Sequence, residues 1–255
     1  MCGLRLALEL VSAMREGFGS FASRSLCVII PCLDEAEAIG PCVTAIRAQG
    51  ILDVVVVDGG SSDDTVAVAL ASGARVVSEH RRGYGRALMA GVASTTADLL
   101  VFIDGDGSDR PELIPDVVVP ILRDEADFVM GTRLKGPREQ GSLAPAQIVA
   151  GVLAGLLIRL RYGVAFSDMS PFRAIRRSTL ARLGMRESTF GWNLEMQMRA
   201  AAAGLRVREV EVGQRRRAGG RSKVSGDWLT AFRAAAVLAR TFARIAIQIQ
   251  SPHTN

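Results

Sequence analysis

Two carboxylates separated by one glycine are the feature of the sequence with the clearest chemical meaning. Asp104, Gly105 and Asp106 directly follow the apolar run 99–103, which predicts a buried strand. In an extended chain, residues two apart project to the same side, about 6.6 Å apart along the strand. Two carboxylates placed in this way can hold a hard divalent cation, with a diphosphate and water as the remaining ligands. Aspartate and glycine are also common in turns, so a plain turn is the alternative.

Acidic residues also follow two earlier apolar runs. The run 26–30 is followed by Asp34 and Glu35, and the run 54–57 is followed by Asp58. Because ligands of α/β proteins bind beyond the carboxyl ends of the strands, these carboxylates should lie together where chemistry is expected. Repulsion among them would disfavour this arrangement unless a cation or a donor-rich ligand is present.

The apolar runs belong to an alternating pattern of strands and helices. Predicted strands cover 26–30, 54–57, 75–78, 99–103 and 128–130, and predicted helices cover 35–48, 63–72, 83–94 and 111–123. This alternation predicts an α/β fold with a mostly parallel twisted sheet and helices on both faces. The fingerprint G-x-G-x-x-G of dinucleotide-binding proteins does not follow the first strand, and Gly83-Tyr84-Gly85 lacks its third glycine.

The charge of the chain is unevenly distributed. The 255 residues carry a net charge of +5 and are 49% hydrophobic, a globular composition that excludes a disordered chain. Residues 196–255 hold 11 basic and three acidic residues, which predicts an anionic partner such as phosphate or a membrane surface. A solvated arginine-rich surface is the alternative. Nucleic acid is disfavoured as a partner because no aromatic stacking motif accompanies the charge.

Cysteine positions and apolar run lengths indicate a cytoplasmic protein. All four cysteines lie within the first 42 residues, so they cannot form a disulfide scaffold for the whole chain. The first 21 residues mix arginine and glutamate with apolar residues, unlike a secretory signal. The longest strongly apolar run, 148–158, has 11 residues, whereas about 20 are needed to cross a bilayer.

Several ordered segments resemble the family-2 glycosyltransferases of the GT-A fold. The segments 28–35, 55–65 and 102–106 (VIIPCLDE, VVVDGGSSDDT and FIDGD) are similar to the signature of that family. Later segments are similar to its dolichyl- or polyprenyl-phosphate sugar synthase branch and bacterial relatives; they are GTR at 131–133, DMSPFRA at 168–174, GWNLE at 191–195 and GGRSK at 219–223. The resemblance covers roughly residues 25–225.

The resemblance implies a nucleotide-sugar site at the acidic edge of the sheet. The residues implied to contact the donor are Pro31, Leu33, Asp34, Glu35, Asp58, Gly83, Asp104, Gly105 and Asp106. Asp104 and Asp106 would hold Mg²⁺ or Mn²⁺ against the donor diphosphate, and with Arg133 they are the implied catalytic residues. The chain departs from the family pattern at three positions, with Asp34 for a common Asn, Gly59 for a second Asp and Ser108 for a frequent Gln.

The resemblance also implies an acceptor and phosphate site. Its residues are Arg133, Asp168, Trp192, Glu195, Arg217, Arg221 and Lys223. Fork-shaped guanidinium groups suit the binding of phosphate oxygens. For three of these residues a structural role is an open alternative: Trp192 as a core side chain, Glu195 as a helix surface charge, and Asp168 as a partner of nearby arginines or a loop cap.

These features together predict a metal-dependent glycosyltransferase of the hexosyltransferase class. We expect it to move a sugar from a UDP- or GDP-sugar to a phosphate-bearing acceptor, foremost a polyprenyl phosphate, with inversion. An acceptor phosphate is already anionic near neutral pH and needs no strong base. The alternatives are a retaining enzyme acting on a soluble phosphorylated small acceptor, or a sugar nucleotidyltransferase. The latter should carry a lysine-rich loop where residues 31–35 are acidic.

The chain is expected to divide into an N-terminal extension with helical character (1–24), the catalytic domain (25–225) and an amphipathic C-terminal helix with its tail (226–255). On a helical wheel, Arg233, Arg240 and Arg244 lie within about 40° of one another. The opposite face carries Trp228, Phe232, Leu238, Phe242, Ile245 and Ile249. This pattern predicts peripheral docking on an anionic membrane at its cytoplasmic face. Packing on the domain's own core, or on a second subunit of an oligomer, is the alternative.

Overall fold

The computed structural model describes residues 25–218 and 228–250 of the chain. Within these ranges the strands are β1 (Leu26–Cys32), β2 (Asp53–Asp58), β3 (Arg75–Ser78), β4 (Leu99–Phe102), β5 (Phe128–Thr132), β6 (Arg173–Arg176) and β7 (Val207–Glu211). The helices are α1 (Ala36–Arg47), α2 (Thr65–Ala71), α3 (Tyr84–Ala93), α4 (Ile114–Leu122), α5 (Pro145–Tyr162), α6 (Arg177–Leu183), α7 (Trp192–Ala202) and α8 (Trp228–Gln250). The extension 1–24, Arg221, Lys223 and the domain boundary at 225 lie outside the described residues.

One seven-stranded sheet organises the described chain, in the order β3-β2-β1-β4-β6-β5-β7. β6 runs antiparallel to both of its neighbours, and the other pairs are parallel. The α/β prediction is confirmed, and the five predicted strands match β1 to β5. β6 and β7 are additions that the hydrophobic pattern does not predict, since charged residues interrupt both.

Side chains on the two faces of the sheet enter two separate cores. Cys27 and Ile29 of β1 face the core that contains Trp192, while Val28 and Ile30 face the core that contains Ile39 of α1. This alternation is the period-2 geometry of a strand that is covered on both sides. The central strands are therefore held rigidly by packing, and they fix the loops that follow them.

The chain reverses direction across the sheet between β1 and β4. β2 and β3 are added on one side of β1, and β4 then pairs with its other side. In open α/β sheets, ligands bind beyond the carboxyl ends of the strands at such a switch point. Asp104 follows β4 here, beside the end of β1, so the topology itself places the predicted carboxylates at the binding crevice.

The apolar face of α8 packs on the domain rather than facing outward. Leu238 and Ile245 are buried in the same core as Trp192, and Phe242 and Ile249 pack partly buried against it. The interfacial role predicted for this face is therefore corrected in favour of the alternative, packing on the domain's own core. The side chains of Trp228 and Phe232 lie outside the described residues.

Within the described ranges, α5 is long and apolar enough, by length and composition, to cross a membrane. It extends the predicted apolar run to 18 residues. One side of α5 packs against α7 and α8, and the other exposes Val149, Val152, Leu156 and Leu160. A core helix of a globular domain meets the same two criteria, and the buried side of α5 contributes Ala154 and Ile158 to the core.

The packing of α8 predicts a contrast between two substitutions on one helix. Ile245→Ala should lower the free energy of unfolding by about 2–4 kcal/mol, because Ile245 is fully buried and its truncation leaves a cavity. Val237→Ala, at a position 60% exposed, should change it by less than about 0.5 kcal/mol. Urea unfolding followed by circular dichroism measures both, and equal effects would contradict the packing.

Candidate active site

A cavity of about 350 Å³ opens at the carboxyl ends of β1 and β4. Eight of its lining residues belong to the sequence-predicted site: Pro31, Leu33, Glu35, Gly83, Asp104, Gly105, Asp106 and Arg217. Eight others complete the lining: Cys32, Gly59, Glu79, Arg81, Arg82, Tyr84, Ala87 and Phe190. The switch point thus brings together residues from distant parts of the chain. Of the carboxylates predicted at the strand ends, Glu35, Asp104 and Asp106 line the cavity.

Asp104 and Asp106 are held in place by different partners. The Tyr84 hydroxyl donates to Asp104 Oδ1 at 2.9 Å. Asp106 Oδ1 accepts the backbone N–H of Ser108 at 2.9 Å, and Asp106 Oδ2 forms an ion pair with Nε of Arg217 at 2.9 Å. The backbone N–H of Asp104 donates to Asp109 Oδ2 at 2.8 Å. The turn that carries the two carboxylates is therefore fixed by hydrogen bonds within it and by contacts from Tyr84 and Arg217.

The acidic cluster carries more negative charge than its neighbours compensate. Burial and the charge of Asp106 raise the pKa of Asp104 to about 6. Burial and the charge of Asp104 also hold the pKa of the Asp109 carboxyl well above its usual range. Both effects are those expected of carboxylates that share a poorly solvated site. A cation would relieve the repulsion directly.

The donor set fits a divalent cation that is completed by a ligand. Asp104 and Asp106 supply hard oxygen atoms, as Mg²⁺ and Mn²⁺ prefer. Among the described residues, no group of three or more histidine, cysteine, aspartate or glutamate side chains is arranged to hold a metal. The protein therefore offers two carboxylates, and the remaining positions would belong to a diphosphate and water.

Asp34 and Asp58 do not line the cavity but hold the loop 59–62, whose first residue, Gly59, lines it. Asp58 accepts the backbone N–H groups of Gly60 and Ser61, both at 3.1 Å. Asp34 has φ of 56° and accepts the N–H of Ser62 at 2.7 Å. Asparagine and aspartate both tolerate this left-handed conformation, which explains why Asp34 can stand for the family's Asn. Their direct contact with a nucleotide stays a prediction.

The loop geometry also accounts for the glycine at position 59. A Cβ at Gly59 would lie 3.3 Å from the backbone oxygen of Cys32, which is tighter than normal van der Waals contact. An aspartate there would need the loop to shift. Ser108, which stands where the family frequently has Gln, is buried and accepts a hydrogen bond from Gln214 Nε2 at 3.2 Å.

Arg133 and Asp168 form a buried pair at the end of β5. Asp168 Oδ2 accepts from Nε of Arg133 at 2.7 Å, and Oδ1 accepts from Nη2 at 2.8 Å. The side chains are 10% and 1% exposed. This bidentate pairing keeps the Asp168 carboxyl ionised, with its pKa lowered by Arg133 despite burial. Asp168 thus takes the role of ordering an arginine, and Arg133 adds positive charge near Asp104.

A short basic segment after β7 is attached to the carboxylate turn. The backbone N–H of Arg215 donates to the backbone carbonyl oxygen of Ser108 at 2.9 Å, and that of Ala218 donates to the backbone carbonyl oxygen of Asp106 at 3.1 Å. Arg217 lies between these two attachments and so faces Asp106. The prediction that Arg217 belongs to the site agrees with this position. Arg215 instead pairs with Glu112, which makes it a surface ion pair.

Trp192 and Glu195 lie too deep to contact an acceptor, so their predicted place in the acceptor site is corrected. The Trp192 side chain is fully buried and packs edge-on against Phe102, with ring centroids 5.1 Å apart. Glu195 is also fully buried, and its carboxylate accepts backbone N–H groups of Arg186 and Glu187. Both begin α7, whose amphipathic pattern does not reveal which side chains turn inward.

Tyr84 and Phe190 are site residues that sequence reasoning does not identify. Tyr84 lies between Gly83 and Gly85, which follow a predicted strand. This position is the feature of the sequence that could point to Tyr84 as a site residue. Phe190 directly precedes the segment 191–195 and carries no pattern of its own. Its ring stacks with that of Tyr84 because the loop that carries Phe190 meets the start of α3 at the cavity.

The raised pKa of Asp104 predicts a pH-dependent cost to the metal-free protein. Its native pKa of about 6 lies above its ordinary value, so the stability that it contributes falls as pH rises from about 4 to 6. We expect Asp104→Asn to raise the unfolding temperature at about pH 7.5 and to lose this advantage near pH 5. Thermal scans in chelator measure it, with the exposed Asp64→Asn as control. A lower unfolding temperature for Asp104→Asn at the higher pH would contradict the electrostatic account.

The buried pair predicts a large effect from a small substitution. Asp168→Asn leaves the Arg133 guanidinium buried without its counter-charge and should cost about 3–5 kcal/mol of unfolding free energy. Glu125→Gln removes an exposed partner of Arg208, with side chains 44% and 54% exposed, and should cost less than about 1 kcal/mol. Urea titrations of both variants make the comparison. Similar losses would show that Asp168 is not the partner on which Arg133 depends.

Comparison with known proteins places this site in a family. The model of Glycosyl transferase family 2 matches residues 27–184. An uncharacterised glycosyltransferase of Mycobacterium tuberculosis is 39% identical over 212 residues, covering 81% of this chain and 92% of the relative. The glucosyl-3-phosphoglycerate synthase of Mycolicibacterium paratuberculosis is 34% identical over 132 residues, covering 47% of this chain and 40% of that protein.

Solved structures share the fold. Glucosyl-3-phosphoglycerate synthase of M. tuberculosis in complex with Mg²⁺ and UDP has a TM-score of 0.70 at 23% identity, over 94% of this chain and 85% of that chain. Its complex with Mn²⁺, UDP-glucose and phosphoglyceric acid has a TM-score of 0.66 at 24% identity, over 92% and 83% of the two chains. At these identities the likeness confirms the predicted GT-A-type fold alone. The family model and the 39%-identical relative establish more: the chain is a glycosyltransferase and belongs to glycosyl transferase family 2.

Proposed function

We propose that this glycosyltransferase moves a sugar from a UDP-sugar, with Mg²⁺ or Mn²⁺, to a soluble acceptor that bears a phosphate. The proposal rests on one cavity that joins the carboxylates of Asp104 and Asp106 to the guanidinium groups of Arg217, Arg81 and Arg82. Carboxylates suit a divalent cation, and arginines suit phosphate oxygens. A metal-bound diphosphate is the substrate group that satisfies both.

The acidic side of the cavity would bind the donor diphosphate. Asp104 and Asp106 would hold the cation, which when bound neutralises the charge that develops on the leaving diphosphate. Arg217 would exchange its contact with Asp106 for a phosphate oxygen. The expectation of Mg²⁺ or Mn²⁺ agrees with the complexes of glucosyl-3-phosphoglycerate synthase, which hold either ion together with UDP.

An acceptor phosphate would serve as a binding group and not as the nucleophile. Asp168 occupies Nε and Nη2 of Arg133, which leaves the Nη1 edge of the guanidinium for a phosphate. The attacking atom would then be a hydroxyl oxygen of the acceptor. Its proton can pass to the departing diphosphate if both lie on one face of the sugar, a route that retains the anomeric configuration and needs no nucleophilic side chain.

The soluble acceptor has more support than the polyprenyl phosphate that the sequence favours. Several relatives are glucosyl-3-phosphoglycerate synthases, and solved structures of the M. tuberculosis enzyme contain phosphoglyceric acid or glycerol 3-phosphate. The helix face expected to reach a membrane is packed on the core of this domain. The acidic loop 31–35 further disfavours a sugar nucleotidyltransferase.

A direct assay of transfer tests the proposal. With UDP-glucose and Mn²⁺, the enzyme should glucosylate 3-phosphoglycerate or a similar phosphorylated hydroxy acid, with the α-anomer retained in the product as read by NMR. Asp106→Asn should lower the rate at least about 100-fold, because the cation loses a ligand. Asp64→Asn, an exposed carboxylate outside the cavity, should leave the rate within about twofold.

Two outcomes would overturn the proposed function. The first is efficient transfer to a short polyprenyl phosphate, with an inverted product and no reaction with soluble phosphorylated acceptors. The second is full activity of the wild-type enzyme in chelator.

A further inference from the structure

An exposed aromatic side chain stands at the mouth of the cavity. Phe190 is 70% exposed, lines the cavity and stacks on Tyr84, with ring centroids 5.8 Å apart and planes 19° from parallel. The hydroxyl of Tyr84 donates to Asp104 Oδ1. The two rings therefore form a continuous aromatic surface that begins at the Asp104 carboxylate and ends at the opening.

A fully buried carboxylate holds the loop that carries Phe190. Glu195 accepts the backbone N–H of Arg186 at 3.1 and 3.0 Å and that of Glu187 at 2.7 Å. It also pairs with Nε of Arg199 at 2.7 Å. A buried charge is expensive unless it is paired and hydrogen-bonded. The hydrogen bonds that stabilise the Glu195 carboxylate come from the backbone of this loop, and they fix the backbone that leads to Phe190.

The same loop contacts the start of α3 through its backbone. The N–H of Arg86 donates to the Ser188 oxygen at 3.1 Å. A Cβ at Gly83, where φ is 146°, would collide with the Ser188 oxygen, and a Cβ at Gly85 would collide with the Glu187 oxygen. The two glycines on either side of Tyr84 thus permit this close approach. They explain how Tyr84 and Phe190 come to stack.

Helix α8 supports the loop from the other side. The Glu187 carboxylate accepts the N–H of Thr189 at 3.0 Å and its hydroxyl at 2.7 Å. Its second oxygen pairs with Arg244 of α8. The Glu187 side chain is 5% exposed and that of Arg244 is 50% exposed. An arginine of the C-terminal helix is therefore tied to the loop that presents Phe190.

We infer that Phe190 and Tyr84 form the wall against which the transferred sugar packs, and that Arg244 is a positioning residue for this wall. The inference rests on the proposed function. In a nucleotide-sugar the sugar is joined directly to the diphosphate that Asp104 and Asp106 would hold through the cation, so it lies beside Tyr84. The C–H face of a sugar ring packs well on an aromatic face, and a rigid loop presents that face at little entropic cost.

Loss of a wall that contacts only the sugar should weaken the binding of a UDP-sugar but not the binding of UDP. In Mn²⁺, Phe190→Ala should weaken UDP-glucose binding by about tenfold and leave UDP binding within about twofold, both by isothermal titration calorimetry. Phe190→Tyr should retain wild-type affinity for both. Leu52→Ala removes an equally exposed apolar side chain outside the cavity (71% exposed), and should change neither affinity.

Three results would overturn the inference. Equal losses for UDP and UDP-glucose in Phe190→Ala would place the nucleotide base on the wall instead. Wild-type UDP-glucose affinity in that variant would remove the wall altogether. Failure of the wild-type protein to bind any UDP-sugar in Mn²⁺ would count against the proposed function first and against this inference with it, so the two failures are distinguishable.

The positioning role of Arg244 has its own test, because a general structural role would act without Phe190. Arg244→Met should weaken UDP-glucose binding about threefold, with UDP binding unchanged, and Arg244→Lys should restore part of the loss. In the Phe190→Ala background, Arg244→Met should have no further effect. An additive loss in the double variant, or equal losses of UDP and UDP-glucose affinity in the single one, would contradict positioning through Phe190.

Discussion

The concentration of carboxylates at one point of the sheet edge is the constraint on which the rest of the structure depends. Asp104, Asp106 and Asp109 lie within seven residues after β4, at the switch point beside β1, and burial together with their mutual repulsion raises the pKa of Asp104 and of Asp109. A fold tolerates such a cluster only if charge of the opposite sign reaches it. Arg217 supplies part of that charge, and a bound cation would supply the rest.

The elements around the cluster act as its supports. The basic segment 215–218 is attached to the carboxylate turn by backbone hydrogen bonds, which keeps Arg217 opposite Asp106. Behind the turn, Arg173 is fully buried and donates to the backbone oxygens of Ser170 and Asn193. Burial lowers its pKa to about 10, so it still carries a positive charge at neutral pH. Arg173 is thus a second buried cation, and it interacts electrostatically with Tyr84, Asp168 and Asp104.

The residues at the strand ends can be predicted from the sequence, but the positions of side chains that reach the site from other elements cannot. Asp104 and Asp106 could be identified because β4 is a short apolar run and its end is unmistakable. The hydrophobic pattern does not predict β6, because two of its four residues, RAIR, are arginines. Arg173 is nevertheless buried, since it donates hydrogen bonds to residues outside the strand. The resemblance predicts Trp192 and Glu195 at the acceptor, whereas the packing of α7 turns both side chains inward. Likewise, the apolar face of α8 looks the same whether it meets a membrane or the domain's own core.

The central claim is that a divalent cation and a nucleoside diphosphate together neutralise the Asp104–Asp106 cluster. Titration of Mn²⁺ into the protein, followed by electron paramagnetic resonance with and without UDP, tests it most directly. The account predicts weak Mn²⁺ binding alone, binding at least about tenfold tighter with UDP present, and loss of this coupling in Asp104→Asn. Mn²⁺ binding that is equally tight without UDP, or that survives in Asp104→Asn, would contradict it.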